Sequence, residues 1–454
     1  MTVESPPVDL AAWISPVCAS AVDLYEVAAV LEAGGINDVT ARERHGARDV
    51  FDLAGRLFRQ VPPEPQPDRP VTGPWRATPV THVLRGVVFG LPALAYLAVA
   101  DRIAGPRAAV VLVVSVLLSW AAGQGLAYLG YVRLGRAGRG AAAAVLGGAG
   151  LLVALPAAAV VVALGFALGV PPAATLIAAG QLAYVLAATV ALVLGREWWL
   201  LAALVPGVAA GVGVLVAGPA AGRSGQLAAA VAFSVAASAA VACWALWGVR
   251  PHLPSRAELA AALPNVAFGA LAGALLIFIP AVRALDPGPD PRIGVGAALA
   301  LTLPLSVSMG GAEWLLFRYR AATHRAMAET RTLRAFGWRA ALALVRVTTG
   351  YLAVLVALVL AAIGLARLLT GELAAAGPVV AAVLIGPALF LALLLMSFDL
   401  RGPAVLPCLA ALAANLALVP LATPESIQAI TASGLLGDLF GYALVTLRRA
   451  QLHI

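Results

Sequence analysis

RYRAATHRAMAETRTLRAFGWR, residues 318–339, carries six arginines against one acid, Glu329, and lies between two long apolar runs. Loops rich in Lys and Arg stay on the cytoplasmic side of a membrane because they are hard to move across it. The stretch is therefore expected inside, and the runs around it count as membrane spans. Read as a helix, it puts Ala326, Leu333, Phe336 and Ala340 on one side and most arginines elsewhere. That pattern suits a helix lying at the surface of an anionic leaflet. Arg318, Arg320, Arg325, Arg331, Arg334 and Arg339 are thus candidate lipid-surface residues. A topology anchor accounts for the same pattern; a gate or docking helix is the functional alternative.

Composition agrees with this reading. The 454 residues are 62% hydrophobic and 11% charged, whereas soluble domains carry about a quarter charged residues. The formal charge of +8 comes from arginine alone, because the chain has no lysine. Its basic excess lies in short loops, which implies orientation and contact with membrane lipids and excludes nucleic acid as the expected partner. Cys18, Cys243 and Cys408 are far apart, so neither a disulfide framework nor metal-ligand spacing is visible. The opening MTVESPPVDL lacks the basic and apolar regions of a cleavable signal peptide.

Segments near the 20-residue length that spans a bilayer are expected at 83–101, 108–132, 141–169, 173–195, 198–217 and 227–248. A second set is expected at 265–284, 293–317, 341–366, 378–398, 403–422 and 427–447. The fold class is an all-α integral membrane protein with about twelve transmembrane helices. Arginine-rich loops alternate in phase with this count, which predicts an inner-membrane protein with both termini cytoplasmic.

Residues 1–60 read as a separate cytosolic three-helix bundle. In Asp23–Ala33, Leu24, Val27, Ala28 and Leu31 share one face, and Gly34-Gly35 follows. Thr40 and Glu43 have capping-box spacing for a second helix ending at Gly46. A third runs over Asp49–Gln60. Six prolines in Val61–Pro74 make residues 61–82 a semi-rigid linker. So small a bundle on a spacer is expected either to fold back on the basic loops or to recruit cytosolic enzymes of an envelope-polymer assembly.

The membrane part divides into half one (83–248) and half two (265–454) around a cytoplasmic linker at 249–264, which reads as a short segment capped by Ser255. The basic loops Arg133–Arg139 and 318–339 both follow the second helix of their half. Pro92 and Pro280 fall in the first helices, Pro206 and Pro407 in the fifth. Prolines at matching positions are hinge candidates, although proline is also ordinary in membrane helices. AAGQGLAY (121–128), AAGQLAY (178–184) and GGAEW (310–314) are short echoes in which small residues allow close helix approach.

Two parallel sixes, a linker between them and a proline-bent first helix resemble the multidrug/oligosaccharidyl-lipid/polysaccharide (MOP) exporter superfamily, and within it the Pel-type exopolysaccharide exporters. The resemblance covers about residues 83–449 and implies export by alternating access, with no catalytic residue carried over. The added N-terminal domain departs from it.

Charges inside the hydrocarbon region need an account. Asp438 lies about ten residues before Arg448, near the bilayer centre at 1.5 Å per residue. It is read either as a helix-packing carboxyl or as a proton or cation relay. Glu313 is placed to reach the interface or to pair with Arg318 or a neighbour. Gln124, Gln181 and Asn415 complete the candidate transport lining. There is no P-loop and the five histidines are dispersed, so neither ATP hydrolysis, a cofactor nor a metal site is expected. The leading expectation is a transporter or flippase for a polysaccharide or lipid-linked glycan. A membrane scaffold, a small-molecule efflux transporter and a membrane-embedded transferase are the alternatives.

Overall fold

The computed structural model describes residues 10–21, 23–61, 79–103, 105–218, 223–285, 293–370 and 376–453. Among them the chain is helical and falls into two compact units. One gathers residues up to Arg76, Phe317–Val347 and Leu444–Ile454; the other holds Ala77–Leu316 and Thr348–Ala443.

The first unit contains four N-terminal helices, not three: α1 (Leu10–Ser20), α2 (Leu24–Ala33), α3 (Asp38–His45) and α4 (Val50–Gln60). The extra helix carries Pro16 in its interior, a residue that argues against helix on propensity. Burial outweighs that cost, because Ile14 and Cys18 enter the same core as Val27, Leu31, Ile36, Val50, Leu57 and Phe58. α3 starts under Asn37, whose Oδ1 accepts from the Val39 and Thr40 amides, so Thr40 is not its cap. Gly35, at φ 85°, supplies the left-handed turn after α2, and Ile36 N donates to Leu31 O. Most of residues 61–82 lie outside the described residues; 79–82 already belong to the next helix.

The same unit shows that residues 318–339 are not one surface helix. α12 (Ile293–Glu329) ends there, and α13 (Leu333–Thr370) begins. The break falls where Thr330 Oγ1 turns back to Ala326 O and Thr332 Oγ1 accepts from Ala335 N. Hydroxyls that bond local backbone compete with helix continuation. Leu333 is consequently exposed, while Ala326, Phe336 and Ala340 are buried together.

The second unit holds the remaining helices: α5 (Pro79–Gly90), α6 (Pro92–Ala95) with a 3₁₀ segment (Tyr96–Arg102), α7 (Pro106–Ala167), α8 (Pro172–Val193), α9 (Glu197–Ala217), α10 (Ser224–Ala245), α11 (Arg256–Leu285), α14 (Ala376–Ser397), α15 (Arg401–Leu418) and α16 (Pro424–Thr446), with parts of α12 and α13. Among the described residues ten helices are long and apolar enough to span a bilayer. α7, at 62 residues, is two spans joined at Gly138, where φ is 80°. Together with α12 these follow the order of the expected twelve. Ser255 caps a helix as expected, with Glu258 completing a capping box, but that helix is α11 itself and not a separate linker segment.

Candidate functional site

Two helix crossings bring the halves together, and glycine makes both. α5 carries Gly86 and Gly90; α11 carries Gly269 and Gly273, again four residues apart. A Cβ on Gly86 would strike Val307 O of α12, and one on Gly310 would strike His82 O of α5. In the other crossing a Cβ on Gly269 would lie 2.5 Å from Trp120 O of α7, and Gly125 would meet Val266 of α11. The first helix of each half thus packs backbone-close against the second helix of the other, as the small-xxx-small pattern allows. This pairing places α5 and α12 so that their polar side chains meet.

Arg85, next to Gly86, is the hub of the resulting cluster. Its Nε and Nη2 donate to Glu197 Oε1 at 3.0 and 2.8 Å, and Nη1 donates to Glu313 Oε2 at 3.1 Å. Nη1 also reaches the Tyr131 hydroxyl at 3.4 Å, and Nη2 reaches Leu192 O at 3.3 Å. His82 Nδ1 stands 3.4 Å from the same Glu313 oxygen, with His82 only 2% exposed. Five helices contribute: α5, the end of the first α7 span, the end of α8, the start of α9, and α12. Glu197, 6% exposed, opens α9, where the helix dipole favours a carboxylate. One guanidinium faces two carboxylates, so the first charge is neutralised inside half one and the second ties it to half two. Arg401 adds a contact between halves, with its guanidinium 5.7 Å from the Tyr128 ring centre and a 3.2 Å bond to Ala261 O. All of these lie at the ends of the helices that carry the arginine-rich loops.

The structure spreads out the other residues read from the sequence. Glu313 belongs to the cluster and pairs with Arg85 and His82. Gln181 accepts from Tyr96 OH at 2.5 Å within half one. Gln124 packs beside Gly269 at the second crossing. Asn415 is fully buried and accepts from Thr431 at 2.5 Å, tying α15 to α16. Asp438 lies on an exposed face of α16. α5 stops at Gly90 and a new helix starts at Pro92, while Pro206, Pro280 and Pro407 sit inside continuous helices.

The arginines of 318–339 divide. Arg318, Arg325, Arg334 and Arg339 are exposed and Arg320 is half-buried; Arg339 pairs with Glu329. Arg331 caps α4, donating to Phe58 O at 3.3 Å and Val61 O at 2.6 Å, with its guanidinium 4.9 Å from the Phe58 ring centre. Sequence reasoning missed Arg85, Glu197 and His82, because charged residues near the ends of spans read as ordinary interface residues. The matched glycine pairs were the available signal.

No family model and no curated protein matches the chain. Solved structures do. One is a MOP superfamily transporter from Pyrococcus furiosus, described as having a binding pocket of reversed polarity (16% identity, TM-score 0.52, 83% of this chain and 98% of that one). Another is an outward-facing multidrug resistance MATE family transporter (16%, TM-score 0.51, 82% and 97%). A third is MATE in complex with MaD5 (15%, TM-score 0.52, 82% and 97%). At these identities the likeness is one of fold: the chain has the all-helical membrane fold of MOP superfamily transporters.

Proposed function

We propose that the chain is an alternating-access transporter, not an enzyme, in which the Arg85 cluster latches the two halves together at their arginine-rich ends. The bond between Arg85 of half one and Glu313 of half two carries this reading. It is half-buried, it spans the halves, and breaking it leaves Arg85 still satisfied by Glu197. That arrangement suits an interface that opens and closes, because each arrangement keeps the guanidinium paired. Arginine distribution supports a cytoplasmic location for this end and for both termini of the chain in the inner membrane.

The cargo we infer is a polysaccharide or lipid-linked glycan, on the resemblance to Pel-type exporters. The exposed edge-to-face pair Tyr25–Phe51 on the N-terminal bundle supports recruitment of a cytosolic polymer enzyme. Small-molecule efflux is the second reading, favoured by the multidrug description of a structural neighbour. The test is the purified chain in liposomes with two cargoes, a fluorescent lipid-linked oligosaccharide and a cationic dye. Movement of the glycan, cut about tenfold or more by Glu313→Gln with the fold retained, is expected. Dye movement alone favours the second reading, and movement of neither cargo overturns transport.

A further inference from the structure

Four of the chain's nine tryptophans stand at one corner of half one, where α9 begins and α10 ends. Trp199 and Trp244 pack edge to face with ring centres 5.4 Å apart. Trp198 and Trp247 beside them are 65% and 84% exposed. Indoles gather at the headgroup level of a bilayer, where one end of the ring is apolar and the other wet. An ordinary belt spreads around a protein; this one is gathered at a corner and comes with arginines. Arg196 lies over Trp244, its guanidinium carbon 4.3 Å from the ring centre. The turn that ends α8 fixes its backbone: Gly195, at φ 69°, lets Arg196 N donate to Ala191 O at 2.8 Å and Gly195 N to Leu192 O at 3.2 Å. Arg139 follows the break in α7 at Gly138 and reaches the same turn, where a Cβ on Gly195 would meet its Nη2 at 3.2 Å. Glu197 Oε2 would stand 4.0 Å from that Cβ, yet Glu197 is already paired with Arg85. Among the described residues neither Arg139 nor Arg196 forms an ion pair. Arg250, also exposed, comes three residues after Trp247.

We propose that this corner binds the headgroup of an anionic phospholipid of the surrounding leaflet, its phosphate held between Arg139 and Arg196 and its glycerol and upper chains lying on Trp199, Trp244 and Trp247. Stacking on Trp244 uses the face of the Arg196 guanidinium and leaves its N–H edge free to donate to phosphate oxygens. Charge selects the class of lipid. A zwitterionic headgroup brings its own cation to the two arginines, whereas an anionic one brings only negative charge. The indoles select a lipid over a soluble phosphate, because acyl chains cover apolar rings that a free ion leaves bare.

This inference is independent of the transport reading, because its test moves no cargo. The full chain goes into vesicles of equal parts phosphatidylglycerol and phosphatidylcholine, with bromine on the acyl chains of one lipid or the other. Bromine quenches tryptophan on contact. Both vesicles carry the same surface charge, so a difference in quenching reports which lipid sits beside the indoles. Brominated phosphatidylglycerol is expected to quench more strongly, with a relative affinity of about fivefold or more. Arg139→Gln/Arg196→Gln should bring the two lipids to within about twofold. Unchanged quenching by brominated phosphatidylcholine shows that this variant is inserted. Arg256→Gln/Arg325→Gln removes the same charge from exposed positions elsewhere and should keep the preference. Trp199→Phe, Trp244→Phe and Trp247→Phe together should remove it from the remaining emission. Equal quenching in the wild type overturns the proposal and leaves the corner an aromatic belt. So does a preference that survives Arg139→Gln/Arg196→Gln, falls equally in Arg256→Gln/Arg325→Gln, or persists in the emission after the three tryptophan changes.

Discussion

Arg85 and Arg331 are both half-buried arginines that bind several partners, yet their surroundings differ in one respect. Arg85 faces two carboxylates at the ends of membrane-spanning helices, whereas Arg331 faces carbonyls and a ring at the end of α4. Taking Arg85 away leaves two carboxylates inside a helix bundle, Glu197 without its partner and Glu313 with only His82 beside it. Taking Arg331 away leaves two carbonyls that water can solvate. The number of bonds is similar; the cost of losing them is set by what remains behind.

The largest expected effect therefore belongs to Arg85→Ala. Breaking a buried ion pair from one side costs about 3–5 kcal/mol, which is enough to lower the yield of folded protein in the membrane. The double change Arg85→Leu/Glu197→Leu should recover much of that loss, because it strands only Glu313. Thermal unfolding of the detergent-purified variants checks this. An Arg85→Ala protein as stable as the wild type would erase the contrast between the two arginines.

Arg331→Ala should act locally and more weakly, by about 1–2 kcal/mol for two charge-assisted bonds and a partly exposed ring contact. Hydrogen exchange at the end of α4 should rise about tenfold, while the membrane helices exchange as before. An unchanged α4 would mean that the bundle core of Ile14, Leu31, Val50 and Phe58 holds that end without help. Arg331→Lys distinguishes charge from shape, because an ammonium cannot reach two carbonyls and stack on Phe58 together.

The two arginines also mark what could be read from the chain. Hydropathy and length give the order of the spans directly, because every spanning backbone must satisfy itself as helix. The basic loops give their phase. Position in a loop count, however, says nothing about partners. By position alone Arg85 reads as a basic residue flanking the first span, although the glycine beside it is a sign that a second helix passes there. Glu313 was legible, since an acid within a span needs a partner, but the nearest arginine in sequence, Arg318, is not the one that pairs with it. The partner comes from 228 residues away, through a crossing that only the fold creates. α1 was missed for a local reason: Pro16 breaks the helical signal, and what restores the helix is a core assembled from α2 and α4.

Asp438 is the third case, and the smallest expected effect on stability. Like Glu313 it is an acid on a membrane-spanning helix, but its face of α16 is exposed, and no hydrogen bond or ion pair of it is found among the described residues. Of the two roles its position allows, packing against a neighbouring helix has no contact to support it. Asp438→Asn therefore removes nothing internal, and unfolding should shift by less than about 0.5 kcal/mol. Its effect belongs to activity. An acid in that position is worth keeping at a cost of about 2.5 kcal/mol or more on insertion scales only if it meets water or cargo. Transport measured across a pH series should thus change its profile in Asp438→Asn while Arg85→Lys keeps the wild-type profile at reduced rate. If Asp438→Asn transports with the wild-type profile, Asp438 is a lipid-facing residue that reaches the interface by tilting its helix, and Glu313 is left as the acid through which the halves are coupled.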